Sequence, residues 1–184
     1  VAGGGVQYSG AVEALTAFAQ THGIPVVETI AGRANLLADH PLNIGPLGVT
    51  GSDSANTIAG AADVVLAVGT RLQDFTTGSW TVFAEGARLI GLNAGRHDAA
   101  KHRSLAVVGD ARLGLQALDA ALKGHRAAAD WTAKAQAERK AWDAYVAGNV
   151  AHGNRPNSYA QAIGVVNALC HPRDDVGNRP RCGG

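Results

Sequence analysis

Short apolar runs and amphipathic stretches alternate along the chain. Val1 to Val6 reads as the end of a buried strand. Behind it, Ala11, Val12, Leu15, Phe18 and Ala19 recur at helical spacing, with Ser9 as N-cap and Gly23 as the stop. Ile24-Pro25-Val26-Val27 reads as a short strand with its proline near the start. Thr29 to Gly51 has no clear period and is expected to be a loop, too long for a bare connection. Ser52 or Asp53 caps the next helix, whose Ala55, Ile58, Ala59 and Ala62 face inward. Val64 to Val68 is a near-continuous apolar run of the kind that parallel sheets bury on both faces. Leu89–Leu92 and Leu105–Val108 are two further strands, and Asp110 caps a helix striped by Leu115, Leu118 and Leu122.

Strand and helix in alternation predict an α/β fold over residues 1–125, an open parallel sheet with right-handed, Rossmann-like crossovers. The pattern then changes. Residues 130–148 predict one long C-terminal connecting helix with Trp131, Ala135, Trp142 and Tyr145 on one face, inside a connector spanning 126–157. Residues 158–169 read as another helix, the start of a truncated segment 158–184 whose tail after Val176 is expected to be disordered.

Composition adds exclusions. The 184 residues carry a formal net charge of +1 with acids and bases interspersed, so no basic stripe points to nucleic acid. No run approaches the length of a membrane span, and no signal peptide is legible. The 2 cysteines, Cys170 and Cys182, fit no disulfide framework or zinc spacing, so a cytoplasmic setting is expected. The 24 glycines are many, which marks tight turns or close backbone approach.

Candidate chemistry gathers where strands end. Gly3, Gly4 and Gly5 follow the first apolar stretch, where free amides and a helix dipole can receive an anion. They fail the strict G-x-G-x-x-G fingerprint, because position 8 is Tyr8, and a turn without ligand remains the other reading. Gly69, Thr70 and Arg71 follow the most apolar strand, where α/β sheets collect ligands. Arg71 could pair with a phosphate or with Asp74, and Asn93 could meet an adenosine ribose or cap a turn. His97 and His102 lie five apart, off the spacing for one helix face, so no metal is expected there. Asp39-His40-Pro41 reads as a loop anchor.

Three stretches carry a resemblance: "HPLNIGPLGVTGSDSAN", "ADVVLAVGTRLQDFTTGS" and "LIGLNAGRHDAAKHRSLAVVGDARLGLQAL". They resemble the middle domain of thiamine-diphosphate-dependent enzymes of the acetohydroxyacid synthase type. "ETIAGRANLLADHPLN", "GTRLQDFTTGSW", "AWDAYV" and "NRPNSYAQAIGVVNAL" make the trihydroxycyclohexanedione hydrolases of inositol catabolism the closer group. The resemblance implies a parent with three α/β domains and a hydrolase that opens a cyclic diketone through the cofactor ylid. It also implies that the catalytic glutamate lies in the first domain, and that Mg2+ and the diphosphate are held by a GDG…NN motif in the third. Neither pattern is legible here, since Gly109-Asp110-Ala111 lacks the rest of that motif. The family would continue past Asp174-Asp175-Val176 into an apolar strand, where this chain reads "GNRPRCGG", and "GRANLL" lacks the family's usual glycine and proline near Asn35 and Leu37.

In flavin-containing relatives the middle domain holds FAD. The resemblance maps that site onto Gly3, Gly4 and Gly5, onto Gly48, Thr50 and Gly51, and onto Gly69, Thr70 and Arg71, with Asn93 beside it. The favoured expectation is a vestigial nucleotide turn in the central domain of a hydrolase, with the isolated chain inactive and no catalytic residue of its own. Its expected partners are the missing domains of its parent chain and further copies in a homo-oligomer, with neither nucleic acid nor membrane. The alternative is a working FAD- or adenine-nucleotide-binding domain of a synthase-like enzyme.

Overall fold

A computed structural model describes residues 1–151 and 156–169. The expectations for the tail after Val176, and for Cys170 and Cys182, lie outside the described residues. Residues 1–139 form one compact unit, and a second begins at Lys140.

The first unit is a parallel sheet covered on both faces. Its strands are β1 (Val26–Glu28), β2 (Asn43–Pro46), β3 (Val64–Val68), β4 (Arg88–Asn93) and β5 (Leu105–Val108). β1 pairs with β2, and β3, β4 and β5 pair in that order, all parallel. Ala2 joins the two groups by parallel bridges to Glu28 and Val68. The sheet therefore runs β2-β1-Ala2-β3-β4-β5. With Ala2 counted as a first strand, this is the 3-2-1-4-5-6 order of a doubly wound sheet.

Between strands run the helices α1 (Gly5–Tyr8), α2 (Val12–His22), α3 (Asp53–Ala61), α4 (Asp74–Thr77), α5 (Arg96–Ala99) and α6 (Ala111–Ala121), then α7 (Ala129–Val150) and α8 (Tyr159–Leu169). Alternation along the strands divides the core. Val26, Leu66 and Val68 pack with Leu15, Phe18 and Leu115 of α2 and α6. Val27, Val65 and Ala67 pack on the other face with Ala55 and Ile58 of α3, and with Trp131 and Ala135 of α7.

Two of the expected caps are in place. Ser52 Oγ accepts from the Ala55 amide at 3.2 Å, and Asp110 Oδ1 from the Leu113 amide at 3.0 Å. That amide, then the Ser9 hydroxyl, holds the Asp110 carboxyl below its ordinary pKa. Elsewhere the local pattern misled. The glycines turn into α1 rather than extending a strand, and Ser9 closes that short helix, while α2 starts after Ala11 with no side-chain cap. The stretch from Thr29 to Gly51 contains β2, whose Gly45 sits at φ 114 and whose last residue is Pro46.

His22, fully buried, ties α2 to α6 through Asp119 Oδ1 at 3.0 Å and faces the His125 carbonyl oxygen at 2.8 Å. Arg126 donates to the Gln20 and Thr21 carbonyls at the end of α2, a placement the helix dipole favours. In the second unit Ser158 and Gln161 form a reciprocal capping box at the start of α8, and the Trp142 and Tyr145 rings lie 5.4 Å apart.

Candidate functional site

Ala2 ends on one side of the point where the strand order reverses, and β3 ends on the other. This is where doubly wound sheets open a crevice. A cleft of about 520 Å³ lies there, lined among others by Gly4, Gly5, Ala31, Gly69, Thr70 and Arg71. The structure thus brings two of the three predicted glycine-containing blocks together.

Close backbone contact explains the glycines. The Gly3 amide donates to the Val68 carbonyl at 2.9 Å, and the Gly5 amide to the Gly69 carbonyl at 2.9 Å. A Cβ on Gly5 would stand 2.6 Å from Gly69 Cα, and one on Gly3 would run into the Gly69 carbonyl oxygen. A Cβ on Gly4 would meet the Ala31 carbonyl oxygen at 2.9 Å on the opposite wall. Two of the three glycine amides are therefore already used within the protein. The amides of Gly4, Thr70 and Arg71 have no acceptor among the described residues, and the exposed Arg71 guanidinium has no ion-pair partner there. Asp74, its sequence-level alternative, instead accepts from the Ser79 hydroxyl at 3.1 Å.

Asn93 is a strut. Its Nδ2 donates to the Thr70 carbonyl at 3.0 Å, and its Oδ1 accepts from the Gly95 amide at 2.9 Å. The Gly48–Gly51 block stands at the rim and not in the wall. Gly48, at φ 109, packs on the backbone of Phe75 and Thr76, and the Asn56 side chain clamps its amide and carbonyl. Gly51 packs on the Pro46 carbonyl, and Thr50 is exposed and lines nothing in the cleft.

Sequence reasoning missed a buried polar anchor beside the cleft. Glu28, 1% exposed at the end of β1, accepts from the Leu36 amide at 2.9 Å and from Asn43 Nδ2 at 3.5 Å. Burial pushes its carboxyl above the ordinary range, against the opposing pull of the Leu36 amide, Arg33 and Asn43. Asn35 donates to the Gly3 carbonyl at 3.0 Å, and its own buried Oδ1 has no partner. These side chains strap the loop after β1 onto the glycine turn. Isolated polar residues in an aperiodic stretch leave no pattern, so only their proximity in space identifies them.

The histidines are occupied otherwise. His40 accepts from the Leu42 amide at 3.1 Å and so anchors its loop. The His102 ring packs against Trp80 at an angle of 36° with centroids 3.3 Å apart, and burial followed by Lys101 lowers its pKa. Among the described residues no three His, Cys, Asp or Glu side chains gather to hold a metal. No helix among the described residues is long and apolar enough to cross a membrane.

Comparison with known proteins places this geometry. The family described as thiamine pyrophosphate enzyme, central domain, matches residues 1–118. Similar relatives carry the name 3D-(3,5/4)-trihydroxycyclohexane-1,2-dione hydrolase. That of Geobacillus thermodenitrificans is 46% identical over 122 residues, covering 66% of this chain and 19% of its own. That of Bacillus velezensis is 43% identical over 143 residues, covering 74% and 22%. That of Clostridium perfringens is 39% identical over 143 residues, covering 77% and 22%. The aligned region thus spans about a fifth of the length of these relatives.

Proposed function

The chain belongs to the thiamine pyrophosphate enzyme central-domain family, and from this we propose that it is the central, scaffolding domain of a thiamine-diphosphate-dependent hydrolase. The reaction we assign to the parent is the opening of the trihydroxycyclohexane-1,2-dione ring by water in inositol catabolism. The identity to relatives of that name supports the assignment. When bound, the cofactor supplies the ylid that adds to a ketone and stabilises the resulting carbanion. We expect the chain alone to be inactive.

One observation carries the reading of the cleft as a vestigial nucleotide site. The Gly3 and Gly5 amides, which would cradle a diphosphate, are satisfied by Val68 and Gly69. The glycines then serve to let two backbones meet. The alternative, a cleft that still takes FAD or an adenine nucleotide, draws on the Gly4, Thr70 and Arg71 amides and the Arg71 guanidinium. Titration with FAD and separately with ADP, followed by thermal melting and flavin fluorescence, decides between them. A ligand that binds only the folded state adds about 2.7 kcal/mol of stability at a hundredfold excess over its dissociation constant. No shift is expected. A clear shift that Arg71→Ala abolishes would replace the vestigial reading with the alternative. Ring opening by the purified chain would overturn the claim of inactivity.

A further inference from the structure

The two edges of the sheet are built differently. At one edge β2 has its register broken opposite Val26 and Val27, contains Gly45, and ends in Pro46. The Ser54 hydroxyl donates to the Ile44 carbonyl at 2.7 Å, and Arg139 covers the Asn43 carbonyl at 2.7 Å. Short length, a bulge, proline and cover are the devices that keep an edge from pairing with another chain. At the other edge, among the described residues, β5 is bonded to β4 alone. It reads Leu-Ala-Val-Val, with no charge, proline or glycine inside it. Leu105 is 67% exposed and Val108 53%, and Leu113 at the start of the adjacent α6 is 62% exposed. The Gly109 amide bonds inward to the Asn93 carbonyl, so by alternation the amides of Ala106 and Val108 point away from the sheet.

We propose that the β5 edge is a self-association surface, on which a second copy of this chain adds its own β5 antiparallel to the first and continues the sheet across a two-fold axis. The argument for a second copy is complementarity. An antiparallel pair sets the start of one strand beside the end of the other, so Arg103 before one β5 comes alongside Asp110 after its partner, twice by symmetry. Arg103 has no ion-pair partner among the described residues. The uncharged strands put no like charges opposite each other. By alternation Leu105 of one copy lies beside Val107 of the other on one face, and Val108 beside Ala106 on the other face. Four-residue strands make a small interface, so the association is weak, in the micromolar range. The proposal rests on the fold alone and stands whichever reading of the cleft is correct.

Sedimentation velocity of the whole chain over a concentration series tests it, with Leu105→Lys, Arg103→Glu and, as a control in the second unit, Tyr145→Lys. The expected result is a dimer whose dissociation constant rises about tenfold or more in the first two variants, through repulsion from Asp110 of the second copy in Arg103→Glu and through lost apolar contact and desolvation of the new charge in Leu105→Lys. Tyr145→Lys should leave it unchanged. Hydrogen exchange on the unmodified chain localises the contact, with the Ala106 and Val108 amides gaining protection as concentration rises. That measurement and Arg103→Glu decide the matter if Leu105→Lys fails to fold. A chain that stays monomeric overturns the proposal. So does association that only Tyr145→Lys weakens, or a dimer in which those two amides stay unprotected.

Discussion

At single residues, the cleft is held by what cannot be there and by what is costly to bury. Gly5 is the first case. Its Cα lies against Gly69 with no room for a methyl group. Gly5→Ala is therefore expected to cost about 2 kcal/mol or more, since both contacting groups are backbone and neither can rotate away. Gly86, where a Cβ would meet nothing within 4 Å, supplies the control, and Gly86→Ala should leave urea unfolding unchanged. Equal effects at the two positions would remove the packing account of the glycine turn. Glu28 is the second case, and its sign follows from burial. Below its ordinary pKa of 4.5 it is protonated in both folded and unfolded states, and contributes no pH dependence. As the pH rises past that value, the unfolded chain releases the proton first and the folded chain retains it. Stability falls over this window and levels off above the raised folded-state pKa. Glu28→Gln removes the titration, so its stability relative to the parent chain should improve between pH 4 and pH 7. The improvement is about 1.4 kcal/mol for each unit by which the folded-state pKa is raised. Urea unfolding of both chains at the two pH values checks it, and parallel pH profiles would contradict it.

Among the elements, legibility followed how each one is stabilised. β3 could be read because a strand buried on both faces must be apolar almost throughout. α3 and α6 could be read because their first free amides need an oxygen nearby, which Ser52 and Asp110 provide. Ser52→Ala should cost about 1 kcal/mol for the lost cap. A thermal melt showing no loss would mean that the cap is not limiting. β2 could not be read. Its Gly45 and Pro46 are turn residues by composition, and its place in the sheet comes from its parallel pairing with β1, the Ser54 bond to Ile44 and the Asn43 contacts, none of which a period-2 pattern reports. At the site the glycine turn and Gly69-Thr70-Arg71 were legible as strand-end signals. Asn93 was legible as a turn cap, which its Oδ1 bond to the Gly95 amide provides, but its reach to the Thr70 carbonyl and the Glu28–Asn35 strap were not. They depend on which backbone groups the folded chain leaves without partners, a property no local window contains.

At the scale of the molecule, the core sets how much chain the sheet needs. Both buried clusters draw their residues from within the first unit, and the last of them is Ala135, fully buried on α7. The segment after α6 is bound to the sheet unit in sequence order. The Ala127 amide bonds the His22 carbonyl, Thr132 Oγ1 donates to the Gly23 carbonyl at 2.8 Å, and Arg139 donates to the Ala38 and Asn43 carbonyls. A chain ending at His125 would lose all of these and open the core where Trp131 and Ala135 sit. A chain ending at Arg139 would keep them. We expect the longer chain to unfold in one cooperative urea transition. The shorter should be less stable by about 3 kcal/mol or more, from exposed core and unpaired carbonyls together. If the two chains unfold alike, α7 is a connector that rests on the sheet without supporting it. If they differ as expected, the first turns of α7 belong to the scaffold, because Trp131 and Ala135 are part of the buried cluster that α3 and the strands form on that face.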